Sequence, residues 1–194
     1  MIACVKNLLL NKFKTDLKNK KLQIVGAKGI VGGACAVIAA QEGAKIGMVI
    51  HREGAVDPIK KRISEYKKKY NVDLESVMGI TDEEKTKMSE DADIILSAAK
   101  AGREALSLKH FASARNLKII SDVNAVPPSG VEGLEVNSNG EKIKNSNVLG
   151  IGALAIGQIK AQLQHKLLKL MCESDIPVFL DFREAYKIAQ EIKK

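Results

Sequence analysis

The stretch Lys21-Leu-Gln-Ile-Val-Gly26-Ala27-Lys28-Gly29-Ile30-Val31-Gly32-Gly33-Ala-Cys-Ala-Val-Ile-Ala-Ala40 runs an apolar segment into a glycine turn and then into a helix of small residues. That order suits a strand, a tight turn and a helix whose first N–H groups face an anion. Gly29 lets backbone approach a pyrophosphate, and Gly32 lets the helix pack close to the strand. Aligned on these two, the first glycine of a G-x-G-x-x-G pattern is Ala27, with Gly26 just before it. Ala27, Lys28, Gly29, Ile30, Val31 and Gly32 are therefore read as the phosphate-facing turn.

About twenty residues after such a turn, an NAD site places an Asp or Glu on the ribose 2′-hydroxyl. Here the second apolar run, Lys45–Ile50, is followed by His51 and Arg52. A guanidinium suits a 2′-phosphate, so the expected cofactor is NADP. The competing reading makes Arg52 an ordinary surface residue beside an acidic Glu53. His51 either meets the adenine or phosphate, or is an exposed loop histidine.

Working outward, strands alternate with helices, which predicts an α/β fold with a doubly wound parallel sheet of Rossmann type. Asp57-Pro58 opens a lysine-rich helix to about residue 70, and a third strand is expected over 72–77. Thr81-Asp-Glu-Glu84 has the spacing of a capping box. Asp93-Ile-Ile-Leu-Ser97 reads as a fourth strand running into the turn Ala98-Ala-Lys100-Ala-Gly102. Ligands bind at that edge of such a sheet, so Ser97, Ala98 and Lys100 join the candidate site.

Further along, a helix is expected over 106–116 and a fifth strand over 117–122. Val123-Asn124-Ala-Val-Pro127-Pro128-Ser-Gly130 excludes regular structure. Asn124 either contacts a nicotinamide carboxamide or makes an Asx-turn into the proline loop. Asn139-Gly140 reads as a hairpin turn. A sixth strand over 148–152 passes through Gly150, counted among the cofactor-binding candidates, into a long helix, with Ile156, Ile159, Leu163, Leu167 and Leu170 as its core face. Asp181-Phe-Arg-Glu184 caps a last helix.

The 194 residues, 45% of them hydrophobic, fit one domain over 1–194, with residues 1–20 as a leading helix. The 31 Lys and Arg against 23 Asp and Glu give a net charge of +8. Much of that excess, as at Lys67-Lys-Lys69 and Lys193-Lys194, reads as solvated helix faces. No aromatic-studded basic stripe points to nucleic acid. The N-terminal apolar run is too short to span a membrane. Cys4, Cys35 and Cys172 are widely spaced, which suits free thiols in a cytoplasmic protein rather than a disulfide framework or zinc site. His110 and His165 have no metal-ligand spacing and are read as structural or surface residues.

The run Ser121-Asp-Val-Asn124-Ala-Val-Pro-Pro128-Ser-Gly130-Val-Glu-Gly133, with Leu149-Gly-Ile-Gly152-Ala-Leu-Ala-Ile-Gly157-Gln-Ile-Lys160 and Glu184-Ala-Tyr186-Lys-Ile-Ala189, resembles the NADP-binding domain of the methylene-tetrahydromethanopterin (methylene-tetrahydrofolate) dehydrogenase family. The resemblance runs from about residue 20 onward. It implies direct hydride transfer between a C1-carrying reduced pterin and NADP, with no dedicated acid or base. It also implies a pterin-binding N-terminal domain that this sequence lacks. Three expectations follow: the rest lies on a longer chain, a separate subunit or homo-oligomer completes the cleft, or the chain is a stand-alone NADP-binding sensor or interaction module. A reductase of the shikimate dehydrogenase type is the other enzyme reading.

Overall fold

The computed structural model describes residues 1–192; Lys193 and Lys194, read above as part of a solvated helix face, lie outside the described residues. Seven strands form one sheet in the order β3-β2-β1-β4-β5-β7-β6. They are β1 (Lys21–Val25), β2 (Lys45–Ile50), β3 (Leu74–Met78), β4 (Ile94–Ser97), β5 (Ile119–Asp122), β6 (Asn139–Lys142) and β7 (Leu149–Ile151). Every pairing is parallel except β6 against β7. Near-continuous Ile, Leu and Val in the central strands is what a sheet covered on both faces demands. Leu22, Ile24, Ile94 and Leu96 are all fully buried, each contributing roughly 1.5–3 kcal/mol of burial.

One face carries α1 (Ile2–Leu8), α2 (Ile30–Gln41), α3 (Val56–Tyr70), α5 (Ala153–Cys172) and α6 (Phe182–Gln190). The leading helix is not a loose amphipathic appendage. Ile2, Val5, Leu8 and Leu9 are buried in this core, and α1 continues as a π-helical turn over Leu9–Phe13. The other face is covered by α4 (Asp82–Glu90) and by irregular chain around Phe111, Leu117, Val131 and Leu134. The capping boxes read at Thr81 and Asp181 are both formed, with Glu84 and Glu184 reaching back to the cap N–H groups.

Four expectations need correction. No α-helix spans 106–116; only the 3-10 turn Leu108–His110 forms there. Ala105 and Leu106 donate to the Gly130 carbonyl at 2.7 and 3.2 Å and Leu106 bridges Val131, so this chain is drawn out straight against the proline loop. Asn139-Gly140 is not a turn but part of β6. The reversal to β7 lies after it, where Asn145 takes the left-handed conformation and Ile143 N–H bonds the Val148 carbonyl at 2.8 Å. The third strand starts two residues later than expected, at Leu74. The core face of α5 ends early: Ile159 is buried and Leu163 half-buried, whereas Leu170 is exposed. Among the described residues no helix is long and apolar enough to cross a membrane.

Candidate functional site

β1 and β4 lie side by side although β2 and β3 extend the sheet from the other side of β1. Their carboxyl ends therefore diverge into a crevice, the place where open α/β sheets bind ligands. Gly26 opens the turn with φ +78°, a conformation that a side chain resists. The Gly29 N–H closes the turn on the Gly26 carbonyl at 2.9 Å. Gly29 is the N-cap of α2 with no side-chain cap, and the first helical bond runs from Gly33 N–H back to its carbonyl. The N–H groups of Ile30, Val31 and Gly32 thus precede the helical ladder and face outward as donors.

Gly32 is required by packing, because a Cβ there would stand 2.6 Å from the Gly26 carbonyl oxygen. Ala27 is fully buried and behaves as a core residue under the turn. Ile30 is 93% exposed and Val31 half-exposed, an apolar lip at the helix entrance.

The crevice is a cleft of about 660 Å3, of a size that suits small-molecule ligands. It brings together Lys28 and Gly29 from the turn, His51 and Arg52 from the end of β2, and Ala98 and Lys100 from the loop after β4. Sequence reasoning missed Lys85 and Met88 of α4, and Arg103 and Leu106 beyond Lys100, which line the same cleft. Arg52 is exposed, in extended conformation, as the N-cap of a 3-10 turn over Glu53–Ala55. His51 is exposed too, and its pKa is lowered first by partial burial, then by the charges of Arg52 and Lys28.

The loop after β5 is tied from within. Asp122 is buried and accepts from Gly130 N–H at 2.8 Å and Asn124 N–H at 3.2 Å. Burial pushes its carboxyl pKa up, while those N–H groups pull it back. Asn124, itself buried, donates through Nδ2 to the Pro128 carbonyl at 2.9 Å and accepts from Val126 N–H at 3.0 Å. The geometry is that of the Asx-turn reading, and the amide is committed to the loop rather than to the cleft. The Pro127-Pro128 bond within this loop is cis.

Two residues read as cofactor contacts sit elsewhere. Ser97 is wholly buried at the end of β4 beneath the cleft. Gly150 points into packing: a Cβ there would meet Leu134 at 2.3 Å, and the residue is not part of the cleft's lining. His110 is buried as a structural residue, its Nδ1 accepting from Ser107 N–H at 3.0 Å and its Nε2 2.8 Å from Asp82. His165 is exposed on α5. Among the described residues no group of three or more His, Cys, Asp or Glu could hold a metal.

A second groove, on the other side of Lys28 and Gly29, runs between α2 and α3 to Phe182. Its aromatic wall is already in use: Tyr70 packs edge-on to Phe182 at 5.6 Å, and Arg62 lies 5.6 Å over Tyr66.

Among solved structures, shikimate 5-dehydrogenase from Listeria monocytogenes, crystallised with shikimate and NAD, matches 97% of this chain and 62% of its own at a TM-score of 0.55 and 16% identity. A chorismate mutase/shikimate 5-dehydrogenase fusion from Clostridium acetobutylicum matches 98% and 61% at a TM-score of 0.52 and 12% identity. At such identities the likeness establishes the Rossmann-type fold. No family model matches the chain. In sequence, it is 27% identical over 125 residues, 64% of its length and 42% of the relative's, to bifunctional protein MdtA of Methylorubrum extorquens. It is 40% identical over 192 residues, 99% of its length, to the NAD(P)-dependent methylenetetrahydromethanopterin dehydrogenase of the same organism, and spans 64% of that relative. Sequence likeness of this extent makes the chain a relative of the methylenetetrahydromethanopterin dehydrogenases, the family that its proline loop resembles.

Proposed function

We propose that this chain is the NADP-binding part of a dehydrogenase that passes a hydride between a C1-carrying reduced pterin and the nicotinamide. The observation that carries the reading is the cleft itself, where an uncapped helix start, Lys28 and Arg52 converge at the switch point of the sheet. A dinucleotide with a phosphorylated ribose asks for those features. The N–H groups of Ile30, Val31 and Gly32 hold the pyrophosphate, and Gly26 and Gly32, by lacking side chains, let the turn close against the loop after β4 and against the helix start. Arg52 binds the 2′-phosphate, with Lys28 across the cleft from it. The name of the 40% identical relative supports the pterin as substrate.

When bound, the nicotinamide supplies the hydride acceptor or donor; the protein's contribution is orientation. Asp122 and Asn124 stiffen the proline loop so that it bounds the nicotinamide end of the cleft. The wall on the pterin side is completed by a further domain, a separate subunit or a second copy of this chain. Exposed Leu168, Met171 and Phe179, beyond the packed half of α5, leave an apolar surface that fits such a contact. The three free cysteines suit a reducing cytoplasm.

Calorimetric titration of the purified chain with NADP and with NAD tests the reading. Clear preference for NADP is expected; failure to bind either would overturn it.

A further inference from the structure

The cleft holds one imidazole among its cations. His51 stands where β2 ends, with Arg52 beside it and Lys28 facing it from the β1–α2 turn. Lys85 on α4 and Lys100, Arg103 and Glu104 from the loop after β4 complete the charged lining. The carboxylate among them, Glu104, is engaged by the Ser107 hydroxyl at 2.8 Å. Glu53 is exposed on the 3-10 turn that follows Arg52. The cleft around His51 is therefore net positive, and Arg52 and Lys28 both disfavour a proton on its ring.

We propose that His51 is a proton-dependent specificity residue for the phosphorylated ribose, taking up a proton when a 2′-phosphate enters the cleft and staying neutral when a bare 2′-hydroxyl does. The inference rests on the cofactor reading above. A phosphomonoester carries about −1.5 to −2 charge at pH 7. Partial burial is the larger cause that disfavours the ring's proton, and Arg52 and Lys28 add to it. Set against those two cations, the phosphate cancels their repulsion and adds an attraction of its own. The second ring nitrogen then becomes a donor, so the protonated ring can give the phosphate a charge-assisted hydrogen bond. The proton comes from solvent onto the free ring nitrogen, and no covalent bond changes.

The sign follows from linkage. A group whose pKa rises on binding takes up a proton, so the ligand binds more tightly as pH falls through the bound-state pKa toward the free one. Above the bound-state pKa, His51 contributes nothing through its charge. The 2′-phosphate itself titrates at about pH 6 in wild type and variant alike, so the comparison is with His51→Gln. From pH 8 to pH 6 the NADP affinity of the wild type should rise roughly three- to tenfold relative to that of the variant. NAD affinity should stay flat.

The test is calorimetric titration with NADP and with NAD at pH 6, 7 and 8, in two buffers of different ionisation enthalpy, on the wild-type chain and on His51→Gln. An unfolding midpoint near that of the wild type shows that the variant is folded. Wild type should take up protons with NADP and not with NAD, and His51→Gln should lose most of that uptake and the steeper pH dependence. NADP binding with equal proton uptake in both proteins, or with none in either, overturns the role of His51 while leaving the cofactor reading intact. A wild-type chain that binds no NADP at any pH overturns both.

Discussion

A Cβ atom on Gly26 would stand 2.2 Å from the carbonyl oxygen of Ala98, so the turn after β1 and the loop after β4 touch backbone to backbone. This contact sets the floor of the cleft. A side chain there cannot be absorbed by a flexible neighbour, because the obstructing atoms belong to main chain. Gly26→Ala adds a left-handed conformation at φ +78° to the clash. Backbone strain costs about 1–3 kcal/mol and overpacking a similar amount. Urea denaturation should show a loss of roughly 2–5 kcal/mol, with NADP binding lost even where the protein stays folded. Unchanged stability would mean that the two loops separate easily.

Arg52 tests the cofactor assignment from the opposite wall. It is exposed and no side-chain cap bond ties it to the turn it opens, so its removal should leave the fold intact. Losing a charge-assisted pair with a phosphate costs on the order of 1.5–3 kcal/mol, at least about tenfold in affinity. Arg52→Ala should weaken NADP by that factor and leave NAD unchanged. Equal affinities for both nucleotides before and after the substitution would return Arg52 to the solvated surface.

How far the sequence reached depends on the range of the forces at each position. The glycine turn, the buried strands and the two capping boxes are local patterns, and each is formed where it was read. The 106–116 segment looked helical because its local composition permits a helix. Its fate was decided by the Gly130 carbonyl, a partner more than twenty residues away whose position no local pattern reveals. Asn139-Gly140 misled in the same way, since its turn propensity is outweighed by pairing with β7. Gly150 shows the limit for the site: a glycine at a strand end suits a ligand or a neighbouring side chain equally, and here Leu134 takes the space. Lys85 and Arg103 went unread because charged residues on a helix and a loop carry no mark of facing the cleft.

Asp82 connects that long-range wall to pH. Lys109, and after it His110, hold its carboxyl pKa down at about 2. A carboxylate depressed from an ordinary value near 3.9 contributes stability above about pH 4, and that contribution is lost as pH falls toward 2. The chain around Leu108–His110 should therefore loosen below pH 4. Urea midpoints at pH 6 and at pH 3 should differ more for wild type than for Asp82→Asn. If both proteins lose stability equally over that range, the pairing with Lys109 and His110 does not stabilise the fold.

Asn124 separates a loop that is built from one that is merely stiff. Its amide satisfies the Pro128 carbonyl and the Val126 N–H, at 2.9 and 3.0 Å, within a loop that Asp122 ties down from the other end. Asn124→Ala leaves both backbone groups without these partners, at about 2–3 kcal/mol in a buried setting. For a chain of this length that corresponds to a fall of roughly 5–10 °C in the unfolding midpoint. The cleft residues that meet the adenosine half are untouched, so NADP affinity should change by less than about threefold, a difference below 1 kcal/mol. The opposite pattern, a large loss of NADP affinity with an unchanged midpoint, would show that the amide leaves the loop and contacts the nicotinamide.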